Sequence, residues 1–248
     1  METLRDLLEL TVLVDPMYDQ NCYVLRRRDS DAALVIDPGL QNARALQLLE
    51  QRSWRCERVL LTHGHGDHVN GVPALVAAHG CRVALHPADR EQLVTMRFLP
   101  GIPDDIPDVV IDDDLTDGQV IDLHGIDIGV IHTPGHTRGS VCFLAGTDLL
   151  SGDTLFRRGI GRADLPGGDW QQLVVSIEQR VYALPADTVC TPGTGRPRPL
   201  PRRCPPIRSW CTRATGRAAV QRTSPPTRAM SSNRIAPVTP QITVPSTS

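Results

Sequence analysis

Thr62-His63-Gly64-His65-Gly66-Asp67-His68 packs three imidazoles and a carboxylate into seven residues, with glycine as the only spacer. The apolar run Val59-Leu60-Leu61 just before it reads as a buried strand. The cluster therefore sits where a strand ends. Side chains two apart in an extended segment point the same way, so His63 and His65 face one point. Gly64 and Gly66 carry no Cβ and let the backbone turn sharply, which swings Asp67 and His68 round to a second point nearby. Neutral imidazole and carboxylate are the ligands that suit zinc, iron and manganese. A polar, glycine-rich loop that happens to carry histidines is the bland alternative, and four potential ligands within six positions count against it. Two adjacent ligand points suggest a dinuclear site.

The rest of the pattern alternates strands with a few helices. Strands are expected over residues 7–14, 21–27, 32–36, 59–62, 82–85, 109–111, 119–123, 126–131, 141–145, 148–150 and 188–190. Helices are expected over 42–52, 72–79, 88–96 and 170–184, the last with Asp169 as its N-cap. Pro73 falls in a first turn, where proline is tolerated. The proline-rich stretch 99–108 reads as a surface loop bordering the site. This mixture predicts an α/β chain in which sheets pack face to face under helices.

Composition narrows the partners. The 248 residues carry a formal net charge of −2, which favours neither nucleic acid nor a membrane surface. No run approaches the length of a membrane-spanning helix. The start, Met1-Glu2-Thr3-Leu4-Arg5-Asp6, lacks the basic-then-apolar order of a signal peptide, so a cytoplasmic location is expected. The seven cysteines are scattered and odd in number, which predicts buried free thiols and not a disulfide framework.

The spacing of the first cluster resembles the H-x-H-x-D-H signature of the metallo-β-lactamase superfamily. Further elements fit that resemblance. Thr133-Pro134-Gly135-His136-Thr137-Arg138-Gly139-Ser140 is similar to the family's T-P-G-H-T-x-G-S element, which implies His136 as a ligand and leaves His132 as a strand-end residue without a metal role. Ser151-Gly152-Asp153 resembles its G-D element, whose aspartate bridges two metals. Ile36-Asp37-Pro38-Gly39 resembles its I-D-x-G element, which implies that Asp37 orients the groups around the ligands. The stretch Gly152 to Asp169 resembles the glyoxalase II-like (hydroxyacylglutathione hydrolase-like) branch; within it, Arg162 and Asp164 are read as a structural ion pair.

The resemblance implies an αββα sandwich (the metallo-β-lactamase fold) with metal at one sheet edge. One ion, zinc in the first instance and iron or manganese otherwise, would take His63, His65 and His136. A second would take Asp67, His68 and a further histidine, with Asp153 between the two. The implied activity is hydrolysis of a small-molecule thioester by a hydroxide generated at the metals, with Asp67 as the catalytic residue that holds it in line. A persulfide dioxygenase-like enzyme with one iron held by His63, His136 and Asp153, or an inactive truncated relative, are the competing readings. The acyl group, the thiol and the oligomeric state are left open.

One departure stands out. Where the family's last ligand lies in a P-G-H-G-P element, this chain reads Pro192-Gly193-Thr194-Gly195-Arg196, and no histidine follows His136. The second metal site is expected to be weak. From residue 191 onward there are ten arginines, 11 of the 21 prolines and no acidic residue. The expected division is a catalytic domain over 1–191 and a disordered Arg/Pro/Ser-rich tail over 192–248. A frameshift is the favoured origin of that tail. Loss of one base from CAC-GGG-CCG-G gives ACG-GGC-CGG and turns His-Gly-Pro into the Thr-Gly-Arg of positions 194–196. Such out-of-register translation commonly lacks the patterning of a fold.

Overall fold

The computed structural model describes residues 7–15, 19–39, 42–95, 108–195 and 198–199. Its order is β1 (Leu8–Val14), β2 (Asn21–Arg27), β3 (Ala32–Ile36), α1 (Asn42–Arg52), β4 (Arg55–Leu60), α2 (Gly66–Val69), α3 (Val72–His79) and β5 (Arg82–Leu85). A 3-10 turn (Pro87–Asp89) and α4 (Gln92–Thr95) follow, then β6 (Asp113–Asp114), β7 (Val120–Asp122), β8 (Asp127–His132), β9 (Val141–Ala145) and β10 (Asp148–Leu150). The hairpin β11 (Leu155–Phe156) and β12 (Gly159–Ile160), α5 (Trp170–Ser176), β13 (Val189–Thr191) and β14 (Arg198–Pro199) complete it. One six-stranded sheet runs β1-β2-β3-β4-β5-β6 and the other β14-β13-β10-β9-β8-β7.

Strand alternation builds the layers. In β2, Tyr23 and Leu25 point into a core shared with Phe143, Val141, Val130 and Leu150 of the second sheet. Their neighbours Cys22 and Val24 point the other way, to Ala45 and Leu49 of α1 and Leu75 of α3. On the far side, Cys142, Leu149 and Cys190 meet Leu173, Ile177 and Val181 of α5 and the wide turn that extends it. Both faces of each sheet's inner strands are thus apolar, which is what a strand between two layers requires. The result is the expected αββα sandwich: helix layer, two sheets, helix layer. Each fully buried leucine or phenylalanine here contributes on the order of 1.5–3 kcal/mol.

Several boundaries differ from the sequence reading, each for a local reason. β4 begins at Arg55, earlier than the expected 59, because its outward residues are charged; Arg55 pairs with Glu57 along the strand. The expected strand 109–111 is irregular, and pairing starts at Asp113. The Asp112 carboxylate accepts from Val83 N (2.8 Å) in place of a ladder bond. The expected helix 88–96 breaks into the 3-10 turn and α4, because the Asp89 side chain turns inward; Met96 lies outside the described residues. The β11–β12 hairpin and α2 were not expected.

Cys22, Cys56, Cys81, Cys142 and Cys190 are buried, and among the described residues none is in a disulfide. Among the described residues no helix is long and apolar enough to cross a membrane. The expected loop at 99–108 lies outside the described residues except for Asp108. The domain boundary expected after Thr191 falls inside a hydrogen-bonded stretch. Asn21 N donates to Gly193 O (2.7 Å), Gly193 N to Gly152 O (2.7 Å) and the Asn21 side chain to Pro192 O (2.7 Å). The Tyr23 phenol also donates to Pro192 O. Of the expected tail, only residues 192–195 and β14 lie within the described residues.

Candidate metal centre

Four strand ends meet at one edge of the sandwich. β3 runs out into Asp37, β4 through Leu61 and Thr62 into His63, β8 through Thr133-Pro134-Gly135 into His136, and β10 through Ser151-Gly152 into Asp153. Ligand sites in α/β sheets lie outside the carboxyl ends of strands in this way. The two sheets are tied there by Val141 N donating to Thr62 O (2.8 Å).

His63, His65 and His136 bring ring nitrogens within 4.8 Å of one another, and so do His63 and His68 with a carboxylate oxygen of Asp153. His63 belongs to both sets. His136 Nε2 lies 3.3 Å from His63 Nε2 and 3.1 Å from His65 Nδ1. Asp67 stands beside the second set, its Oδ2 3.6 Å from His68 Nε2, and Asp153 Oδ1 is 3.6 Å from the same nitrogen. Five of the six expected ligands thus converge, and Asp67 joins them through His68.

Hydrogen bonds on the far side of each ring decide which nitrogen keeps a lone pair. The Thr62 hydroxyl donates to Asp37 Oδ2 (2.6 Å), so it can only accept from His63 Nδ1 (3.0 Å). His68 Nδ1 donates to the same Asp37 oxygen (2.9 Å), and His136 Nδ1 donates to Arg162 O (2.7 Å). The Nε2 atoms of His63 and His136 are left bare, and His68 Nε2 faces the Asp67 and Asp153 carboxylates. Asp37 is fully buried, also accepts from Thr62 N (2.8 Å), and sits at φ 48°, an unusual conformation for a residue with a side chain. Such strain is held where the surroundings fix it, commonly at functional sites. Asp37 therefore occupies the orienting place expected of it. Thr62, which relays Asp37 to His63, was missed in the sequence; its only signal is a hydroxyl adjoining the cluster.

The electrostatics divide the two sets. Burial, and then the neighbouring rings, hold His63 well below the usual imidazole range. Burial, followed by His136 and His68, takes His65 down to about 2. Burial opposes protonation of His68 too, but the carboxylates of Asp67, Asp37 and Asp153 carry it up to about 10. Burial raises the Asp153 carboxyl even though His68 and His136 pull it down.

These features suit a cation. The bare Nε2 atoms of His63 and His136, 3.3 Å apart, repel one another unless something positive lies between them. Nitrogens bound tetrahedrally to zinc at about 2.0–2.1 Å would be separated by roughly 3.3–3.4 Å. At the second set, His68 Nε2 and Asp153 Oδ1 are buried without a hydrogen-bond partner. Buried polar atoms left in that condition call for an ion or another ligand.

Other expected residues lie elsewhere. His132 stacks on His86 (ring centroids 4.2 Å apart) and meets Arg138 O at 3.0 Å, outside both sets. Arg162 and Asp164 form an exposed two-point ion pair at 2.7 and 2.8 Å. Thr194 pairs with Gln20 through the backbone. It lines a cavity of about 1050 Å³ together with Val12, Val14, Phe156, Arg157 and Arg158.

Comparison with known proteins agrees with this arrangement. The family model described as "Metallo-beta-lactamase superfamily" matches residues 16–219. An uncharacterized protein of Mycobacterium leprae is 39% identical over 192 residues, 72% of this chain and 88% of its own length. The hydroxyacylglutathione hydrolase GloC of Haemophilus influenzae is 32% identical over 187 residues, 72% of this chain and 86% of its own. Among solved structures, TTHA1623 in a di-iron-bound form is 33% identical with a TM-score of 0.66, covering 77% of this chain and 94% of that one. Fold, histidine-rich sheet edge and relatives together show that the chain belongs to the metallo-β-lactamase superfamily.

Proposed function

We propose that this chain is a metal-dependent thioester hydrolase of the hydroxyacylglutathione hydrolase type, with zinc as its ion. One observation carries the reading: ring nitrogens of three buried histidines converge, His136 Nε2 lying 3.3 Å from His63 Nε2 and 3.1 Å from His65 Nδ1, beside a second set that contains a carboxylate. His63, His65 and His136 would hold one ion. Asp67, His68 and Asp153 would hold a second. A bound divalent ion supplies Lewis acidity, bringing the pKa of a coordinated water from about 15.7 towards 7.

The chain's own residues do the rest. Asp37 fixes the His68 ring directly and the His63 ring through Thr62, so both present the correct nitrogen. Asp67, only partly buried, is placed to take a hydrogen bond from a water and hold it in line with a carbonyl carbon. Phe156, Arg157 and Arg158, three to five positions after Asp153, line a cavity together with Val12, Val14 and Asp19, and this cavity is the proposed place for the remainder of a small thioester. Thr194, standing where a last imidazole is expected, leaves the second set short of a ligand. The relatives named hydroxyacylglutathione hydrolase support the thioester; the acyl group is not specified by any residue here.

The test is elemental analysis with a thioester-cleavage assay, run on the full chain and on Thr194→His. Zinc with cleavage, and a second metal equivalent with higher activity in Thr194→His, are the expected results. One iron per chain with oxygen uptake would replace this reading with the dioxygenase-like one. A chain that holds no metal and cleaves nothing would replace it with an inactive relative.

A further inference from the structure

Asp89 is a fully buried carboxylate outside both ligand sets. The 3-10 turn after β5 delivers it, with Asp89 N bonded to His86 O (3.0 Å). Among the described residues no arginine is bonded to it. Its oxygens instead accept from Gly64 N (3.0 Å), the Thr137 hydroxyl (2.6 Å) and Gly139 N (2.6 Å). Gly64 lies between His63 and His65, while Thr137 and Gly139 follow His136. The two loops come from different sheets.

We propose that Asp89 is a positioning residue for the three-imidazole set, a staple that fixes the distance between the His63-His65 loop and the His136 loop. This rests on the reading that the set holds a cation. The close approach is built into the sequence at both ends. A Cβ at Gly64 would stand 2.8 Å from Asp89 O, and one at Gly139 would stand 2.8 Å from Asp89 Cβ. Ser140 completes the arrangement. Its hydroxyl lies 2.7 Å from Thr137 Oγ1 and accepts from Thr137 N (3.1 Å), which leaves the Thr137 proton free for Asp89. The Val141–Thr62 backbone bond holds the same two loops roughly together without Asp89. Loss of the carboxylate should therefore loosen the imidazole spacing and leave the fold. Partners that orient ligands in this indirect way commonly influence metal affinity 10–100-fold.

The experiment uses the full chain, stripped of metal, as parent, Asp89→Asn and Thr137→Val. Zinc is titrated against a chromophoric chelator, cobalt(II) absorption reports the ligand field, and melting is followed without metal. Asp89→Asn should bind zinc at the tighter site about 10–100-fold more weakly, with displaced cobalt bands. Thr137→Val, which removes one of the three bonds, should shift both in the same direction by less and keeps the test open where Asp89→Asn fails to fold. Lower metal-free melting with unchanged zinc affinity and cobalt spectrum would overturn the proposal. A parent chain that takes up no zinc would defeat the cation reading beneath it.

Discussion

The two ligand sets share His63 and differ in almost everything else. The His63-His65-His136 set has no carboxylate among its members, is oriented through the Thr62 hydroxyl and the Arg162 carbonyl, and keeps His63 and His65 neutral. The His68 set is crowded by Asp37, Asp67 and Asp153. His65 and His68 are three positions apart in one turn, yet one ring is pushed to about 2 and the other to about 10. Local sequence supplies only part of that contrast: Asp67, next to His68 in the chain, raises it most, while Asp37 and Asp153 arrive from β3 and β10. The first set is ready to accept a cation without exchanging protons at His63 or His65. The second attracts positive charge strongly, holds a proton on His68 in its place, and lacks an imidazole where Thr194 stands.

The largest effect should come from removing the shared ring. His63→Ala takes a nitrogen from both sets, so metal content should drop towards zero and activity by more than about 100-fold, beyond what loss of an orienting partner costs. Retention of one full metal equivalent would mean the sets are independent. Asp37→Asn comes next. It unsettles His68 directly and His63 only through Thr62, so it should weaken metal binding about 10–100-fold, more at the second set than at the first. Competition titration resolves the two, and equal losses would erase the distinction.

Acid and base should also separate them in the metal-free chain. The folded-state values of His63 and His65 lie below the unfolded value of about 6.5, so their neutral burial favours folding above that pH and loses stability as pH falls. His68 is raised to about 10, so its contribution is complete below about 6.5 and is lost as pH rises through 10. Stability from these three groups should peak near pH 6.5, falling by about 1.4 kcal/mol per pH unit for each proton exchanged. Denaturant titrations from pH 5 to 9 measure this. A profile that rises steadily to pH 9 would contradict the contrast. Zinc at the second set should release the His68 proton, which an unbuffered titration detects. The smallest effect belongs to Asp164→Asn, which breaks the exposed Arg162–Asp164 pair but leaves in place the Arg162 backbone carbonyl that accepts from His136. It should leave melting temperature and metal uptake unchanged.

Much of the site was legible because its densest part is local. His63, His65, Asp67 and His68 occupy one turn after an apolar strand, and glycine spacing announces that turn. His136 and Asp153 were legible only through short elements resembling the family's. Asp37 could be placed beside the ligands in the same way, but not its fork to Thr62 and His68. Asp89 gave no signal. An aspartate in a short helix-like run reads as surface, and only the folded chain shows it turned inward, 25 positions from Gly64, against three donors. The fold was read well where strands alternate or run apolar, as in β2, β3 and β9. It was misread where a side chain replaces a ladder bond, as Asp112 does before β6. It was misread again where charged residues line a paired strand, as at the start of β4.

The central claim is that side chains from separate strand ends surround one cation. Anomalous diffraction from crystals of this chain soaked in zinc tests it most directly. The account predicts a peak about 2.0–2.1 Å from ring nitrogens of His63, His65 and His136, with weaker or absent signal beside His68 and Asp153. No peak among the three rings, or zinc bound only elsewhere, would contradict it.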